Sequence, residues 1–200
     1  MTALSDAPAS SAAPGPAAAP ARTPSGGTVW MTGLPSAGKS TLASAVAARL
    51  RAQGREVEVL DGDEVRLHLS AGLGYSREDR AVNISRIGWV ARLLASHGVV
   101  AISAAIAPYA DVRERVRREH EQAGAAFLEV YVSAPVDVCA QRDVKGLYAK
   151  QAAGEVTGLT GVDDPYEVPE APDLDVPTHA IGLDESVERV LAALAERGLA

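Results

Sequence analysis

The sequence predicts an α/β domain, a parallel sheet with helices packed on both of its faces. Three observations point there. Short apolar runs alternate along the chain with longer segments of helical periodicity. A glycine-rich stretch, GLPSAGKST at residues 33–41, falls between the first apolar run and the first helical segment. A chain of 200 residues, 47% hydrophobic and 22% charged, suits one domain whose core needs no disulfide.

The elements follow in order. TVWMT (28–32) is the first strand and residues 39–52 a helix closed near Gly54. EVEVL (56–60) is the second strand, leading into the loop and helix of DGDEVRLHL. Ser76 and Asp79 stand near the start of a long helix. Its apolar stripe, Ile84, Ile87, Ala91 and Leu94, recurs at helical spacing. GVVAIS (98–103) is a buried strand and residues 111–122 a charged surface helix. AFLEVYVS (126–133) is the fourth strand, and residues 135–141 a short helix with proline in its opening turn. Residues 142 to 175 are rich in Gly, Pro, Asp and Lys and show no periodicity. They read as one long functional loop such as a lid. THAIG (178–182) and ESVERVLAALAERG (185–198) close the chain as a strand and a helix.

Residues 1–25 are almost entirely Ala, Pro, Ser and Gly, too poor in apolar area to offset the entropy of ordering, and read as a disordered tail. The net charge of −7 argues against a nucleic-acid binder, which needs basic surface. No apolar run approaches the roughly 18 residues of a membrane span. The four histidines and single cysteine have no zinc-ligand spacing. Cys139 standing alone excludes an intramolecular disulfide and fits a reducing cytoplasm.

Parallel α/β sheets bind ligands at the carboxyl ends of their strands. Gly33, Asp61 and the loops after Ser103 and Ser133 fall on that edge. GLPSAGKS satisfies G-x-x-x-x-G-K-[ST] in the strand-to-helix context the motif requires. Its backbone N–H groups and helix N-terminus suit a phosphate. Lys39 reaches the β- and γ-phosphates, and the Ser40 hydroxyl suits Mg²⁺. A GTPase is disfavoured, because the only asparagine, Asn83, is followed by Ile84 and cannot form an N-K-x-D element. Asp61 and Asp63 end the second strand, where two carboxylates can hold Mg²⁺ through water or accept a hydroxyl proton. Arg66 follows closely. Arg80 and Asn83 share one helix face, suited to an anionic ligand that also carries hydrogen-bonding groups.

These motifs, with GYSREDRAVNISRIG, APYADVR, CAQRDVKGLY and GLTGVDDPYEVPEAP in that order, resemble the adenylylsulfate kinases (APS kinases) over residues 26–183. That family phosphorylates the ribose 3′-hydroxyl of adenosine 5′-phosphosulfate (APS). The resemblance implies a P-loop kinase fold over residues 26–200, a three-layer sandwich whose five-stranded parallel sheet runs in the order 2-3-1-4-5. It implies transfer of the γ-phosphoryl of ATP, Mg²⁺ as cofactor, a homodimer, and a functional link to ATP sulfurylase in sulfate assimilation. Position by position, it assigns ATP to Gly33, Leu34, Pro35, Ser36, Ala37, Gly38, Lys39, Ser40, Thr41 and Arg142. It assigns APS to Asp63, Arg66, Tyr75, Arg80, Asn83, Ile106, Lys145, Gly158 and Leu159. Lys39 and Asp63 are its catalytic pair, and Ser40 with Asp63 its metal side.

Four departures bear on activity. Ala107 stands where the family commonly has serine, so no phosphoenzyme can form there and direct transfer is implied. Leu159 replaces a common phenylalanine, the second face of an adenine sandwich with Tyr75, which implies weaker APS binding. Glu64 and Ala152 replace a common Asn and Arg and make the site less positive. Two other readings stay open on these grounds: a related kinase with another small hydroxyl acceptor, and a non-catalytic nucleotide-binding partner of a sulfurylase.

Overall fold

A computed structural model describes residues 26–199. The expected tail, residues 1–25, lies outside the described residues. The elements in order are β1 (Gly27–Thr32), α1 (Lys39–Ala52), β2 (Val57–Asp61), α2 (Gly62–His68), α3 (Arg77–Ser96), β3 (Val100–Ala104) and α4 (Ala110–Gln122). They continue with β4 (Ala126–Ser133), α5 (Val136–Arg142), α6 (Leu147–Ala152), β5 (Leu174–Pro177) and α7 (Leu183–Glu196).

The five strands form one parallel sheet in the order β2-β3-β1-β4-β5, as the sequence led us to expect. β1 is buried along its whole length, which is why its run is apolar without alternation. Two apolar clusters cover the sheet. One joins Val29, Met31, Leu128 and Val130 to α1 and α7 through Leu42, Val46, Val190 and Leu194. The other joins Trp30 and Phe127 to α3 and α4 through Ile84, Ile87, Val112 and Val116. α3 starts where its sequence says it should, with the Ser76 hydroxyl accepting from the Asp79 N–H at 3.1 Å. Of its expected stripe, Ile84, Ile87 and Ala91 are buried, whereas the last buried position is Ala95 and Leu94 is half-buried.

Two expectations need correction. The closing strand is not residues 178–182 but Leu174–Pro177, whose Val176 is fully buried beside β4. The chain turns immediately afterwards, with Ala180 N–H bonding to the Pro177 carbonyl at 2.8 Å. β5 is an edge strand, where a proline costs no ladder partner. The long loop also contains a helix, α6. The Asp143 carboxylate accepts from the Tyr148 and Ala149 N–H groups at 3.1 and 3.0 Å, which starts the helix. Tyr148 then anchors it, buried, with its hydroxyl donating to the Pro35 carbonyl at 3.1 Å.

A buried ion cluster fixes the segment after β3. Arg113, 4% exposed, pairs with Glu129 at 3.2 Å and donates to the carbonyls of Ala107 and Glu167 at 2.8 and 2.7 Å. Removing one partner of a buried pair costs about 3–5 kcal/mol, and here the lower end applies because Glu129 keeps Arg117 at 3.2 Å. Arg113→Ala is therefore expected to lower the unfolding free energy by about 3 kcal/mol in urea titrations. Its Lys counterpart, which keeps the charge, should lose less. His120, fully enclosed between Thr28 and the Val116 carbonyl, has its pKa pushed down by burial and serves as a neutral core residue.

Candidate active site

The carboxyl edge of β1, β2, β3 and β4 carries the site. The phosphate-type loop needs its glycines. Gly33 (φ 153°) lies so close to β4 that a Cβ would come within 2.4 Å of the Val132 carbonyl oxygen, and Gly38 (φ 103°) takes a left-handed conformation as α1 begins. The loop is braced from behind. Tyr148 bonds to Pro35, and the Thr178 hydroxyl donates to the Ala37 carbonyl at 2.6 Å. Arg142 donates to the Ala37 and Thr178 carbonyls at 3.2 and 2.7 Å, so its guanidinium lies at the outer flank of the loop.

Lys39 is folded back onto the loop, its Nζ donating to the Gly33 and Leu34 carbonyls at 2.8 and 2.7 Å. Burial pushes its pKa down to about 8, only partly offset by the charges of Cys139 and Asp61. No described carboxylate pairs with it at ion-pair distance. Ser40 and Thr41 are exposed at the mouth of the loop.

The two carboxylates after β2 have different partners. Asp61 accepts from the Ser40 hydroxyl at 2.6 Å, and its other oxygen caps α2 through the Asp63 N–H at 2.9 Å. Asp63 projects into solvent and forms an ion pair with Lys145 of the segment between α5 and α6. The sequence-based metal pair was Ser40 with Asp63, whereas Asp61 is the carboxylate in contact with Ser40. Mg²⁺ in phosphoryl-transfer sites keeps several waters and takes one or two protein oxygens beside the phosphates. The hard oxygens of Ser40 and Asp61 fit that mode, and no group of three or more His, Cys, Asp or Glu side chains among the described residues forms a metal cage.

On the far side of α2, Tyr75 is 68% exposed, and the Arg66 guanidinium lies over its ring, 4.4 Å from the centroid. Arg66 also donates to the Gly74 carbonyl at 2.9 Å. Arg80 is buried and committed to the protein. It donates to the Tyr75 carbonyl at 2.8 Å, the Thr160 hydroxyl at 2.9 Å and the Gly158 carbonyl at 2.6 Å, with Asp164 at 3.8 Å. It therefore ties the Tyr75 segment to the loop at 158–164. That loop is closed on itself by Asp163, whose carboxylate accepts from the Gly158 and Leu159 N–H groups at 2.9 and 2.6 Å. Those bonds hold its pKa below the usual range. Leu159 is 6% exposed and packs in the main core, so it offers little surface to a ligand. Asn83 is buried, and its Oδ1 has no hydrogen-bond partner among the described residues. Ile106 is half-buried, with its carbonyl accepting from the Thr32 hydroxyl at 2.6 Å. Ala107 is enclosed, in a left-handed conformation (φ 45°).

Asp61, Thr178 and Tyr148 are the residues the residue assignments left out. Asp61 was legible as half of a carboxylate pair, and Tyr148 lies in the DVKGLY motif. Thr178 gave no signal.

The chain matches the adenylylsulphate kinase family model over residues 25–177. It belongs to the adenylylsulphate kinase family. An adenylyl-sulfate kinase of Myxococcus xanthus is 57% identical over 171 residues, covering 86% of this chain and 92% of that protein. One of a Picosynechococcus strain is 50% identical over 173 residues, with 86% and 96% covered. Among solved structures, the Mycobacterium tuberculosis APS kinase in complex with AMPPNP and APS superposes with a TM-score of 0.83. It is 44% identical, with 86% of this chain and 99% of that one covered. No helix among the described residues is long and apolar enough to cross a membrane.

Proposed function

We propose that this chain transfers the γ-phosphoryl group of ATP to the 3′-hydroxyl of APS, giving ADP and 3′-phosphoadenosine 5′-phosphosulfate. The observation that carries this reading is one arrangement at the sheet edge in a member of this family. A buried lysine and an exposed serine open the phosphate loop, and Asp61 and Asp63 stand between that loop and the platform of Arg66 on Tyr75.

In this reading Lys39 exchanges the Gly33 and Leu34 carbonyls for the β- and γ-phosphates, and the loop N–H groups and the α1 N-terminus take the remaining phosphate charge. Ser40 and Asp61 hold Mg²⁺, which when bound neutralises charge on the triphosphate. Arg142 flanks the ATP adenine. APS lies on the Tyr75 side with Arg66, Asn83, Ile106, Gly158 and Lys145 around it, and Leu159 behind the loop that Arg80 anchors. Asp63 faces the acceptor, where it orients the 3′-hydroxyl and receives its proton. The hydroxyl oxygen bonds to the γ-phosphorus as the bond to the β–γ bridging oxygen breaks and ADP leaves. Charge placement and alignment supply the acceleration. Ala107 has no hydroxyl, so the phosphoryl group passes directly between substrates. Residues 26–200 constitute the kinase unit, working in the cytoplasm beside a sulfurylase that makes APS.

Purified protein with ATP, Mg²⁺ and APS is expected to form ADP and the 3′-phosphorylated product in equal amounts, with no phosphoprotein by intact-mass analysis. Faster turnover of another nucleotide or sugar than of APS would replace this acceptor with a different one. ATP binding without turnover of any acceptor would reduce the chain to a binding partner.

A further inference from the structure

The turn that carries Ile106 and Ala107 is held by groups that lie behind the site. Ala107 has φ 45°, a left-handed conformation that is unfavourable for alanine and persists only where the surroundings impose it. The Ile106 carbonyl accepts from the Thr32 hydroxyl at 2.6 Å and from the Gly33 N–H at 3.4 Å. The Ala107 carbonyl accepts from Arg113 at 2.8 Å, with the Thr32 hydroxyl 3.3 Å away. Behind Thr32 stands Tyr166, its hydroxyl 2.9 Å from that of Thr32. Thr32 has a single hydroxyl hydrogen, and the short contact commits it to Ile106. Tyr166 therefore donates, and the chain runs from its phenol through Thr32 to the Ile106 carbonyl. Bonds in such a chain polarise and strengthen one another. Burial raises the Tyr166 pKa, so the phenol keeps its proton at neutral pH.

We propose that Tyr166 is a positioning residue for the acceptor. Acting through Thr32, it keeps the Ile106–Ala107 turn in the one conformation that presents Ile106 to the acceptor. The inference rests on the reading of the Ile106 side as the acceptor site. Thr32 is fully buried at the end of β1, in register with Tyr131 of β4. The Tyr166 ring stacks along that of Tyr131, with centroids 6.2 Å apart and 20° between the planes, which aims its hydroxyl across to Thr32. Thr32 also immediately precedes Gly33, so the same chain sets the acceptor wall against the first glycine of the phosphate loop. That loop has braces of its own in Tyr148 and Thr178, so loss of the Tyr166 bond falls on the acceptor wall. A wall that is competent for only part of the time weakens apparent binding in proportion and leaves the rate at saturation unchanged.

The full chain is tested by initial rates with ATP and APS varied in turn. Tyr166→Phe keeps the ring and its stacking. It is expected to raise KM for APS about fivefold, the size of one neutral hydrogen bond, with kcat and KM for ATP within about twofold of the wild type. Thr32→Val, which strands both neighbours in the chain, should raise KM for APS about thirtyfold, and Thr32→Ser should stay near the wild type. Ala107→Gly supplies the deciding readout. Glycine takes the left-handed conformation without strain, so adding it to Tyr166→Phe should return KM for APS to near the wild-type value. A phenol that merely stabilised the fold would show no such recovery. An unchanged KM for APS, an equal rise in KM for both substrates, or no recovery with glycine overturns the proposal. A wild type that turns over another acceptor and not APS overturns the substrate reading instead, and the same variants then decide the proposal on that acceptor.

Discussion

Lys39→Ala is expected to lower kcat/KM for ATP by about a thousandfold while the chain stays folded, because a preorganised charged donor at a transferring phosphoryl group is worth a factor of this order. The structure explains both halves of that expectation. The ammonium is held by two loop carbonyls and has no carboxylate partner among the described residues, so none of their ion pairs is broken when it goes. Its burial instead makes it costly. A pKa lowered from 10.5 to about 8 corresponds to a penalty on the order of 3 kcal/mol. The unfolded chain holds this proton more tightly than the folded one. The penalty is therefore fully present below pH 8 and is relieved as pH rises toward the unfolded value, so unfolding free energy gains from this group between those limits. Lys39→Met should be more stable than the wild type at pH 7 in urea titrations and should lose that advantage as pH approaches 10. A triphosphate supplies the missing negative charge and restores the proton. ATP affinity is then expected to fall as pH rises through 8, with proton uptake on binding in calorimetry, and Lys39→Met should abolish that dependence.

The sequence revealed most where the physics is local. The phosphate loop is a contiguous pattern between a strand and a helix, and GVVAIS reads as a buried strand from its apolar run, as β3 proves to be. β5 was misplaced because four residues on a sheet edge take their register from β4, some forty positions earlier. α6 was missed because its six residues are too few for a periodic signal, and because it depends on the Asp143 cap and on Tyr148 reaching Pro35. The site shows the same division. Arg80 was legible as a helix-face arginine beside Asn83, yet its commitment to Gly158 and Thr160 spans about eighty positions and appears only in the folded chain. Arg80 therefore acts at least in part as the strut of the 158–164 loop.

The division of labour between Asp61 and Asp63 leads to the second large effect. Asp63→Asn is expected to reduce kcat by about a thousandfold, the range for a positioned proton acceptor, with little change in stability. Its carboxylate caps no described helix and its ion partner among the described residues, Lys145, is exposed, so the fold loses almost nothing. Asp61 is different. It touches Ser40 and starts α2, so Asp61→Asn, whose amide oxygen still caps the helix, should show a raised requirement for Mg²⁺ with little loss of stability. Raising Mg²⁺ should restore much of the rate to Asp61→Asn and little to Asp63→Asn. Rescue of Asp63→Asn by metal would make Asp63 the metal organiser and assign the hydroxyl proton elsewhere. Equal rescue of both would mean that the two carboxylates share one ion, and that the separate partners seen here merge when substrates bind.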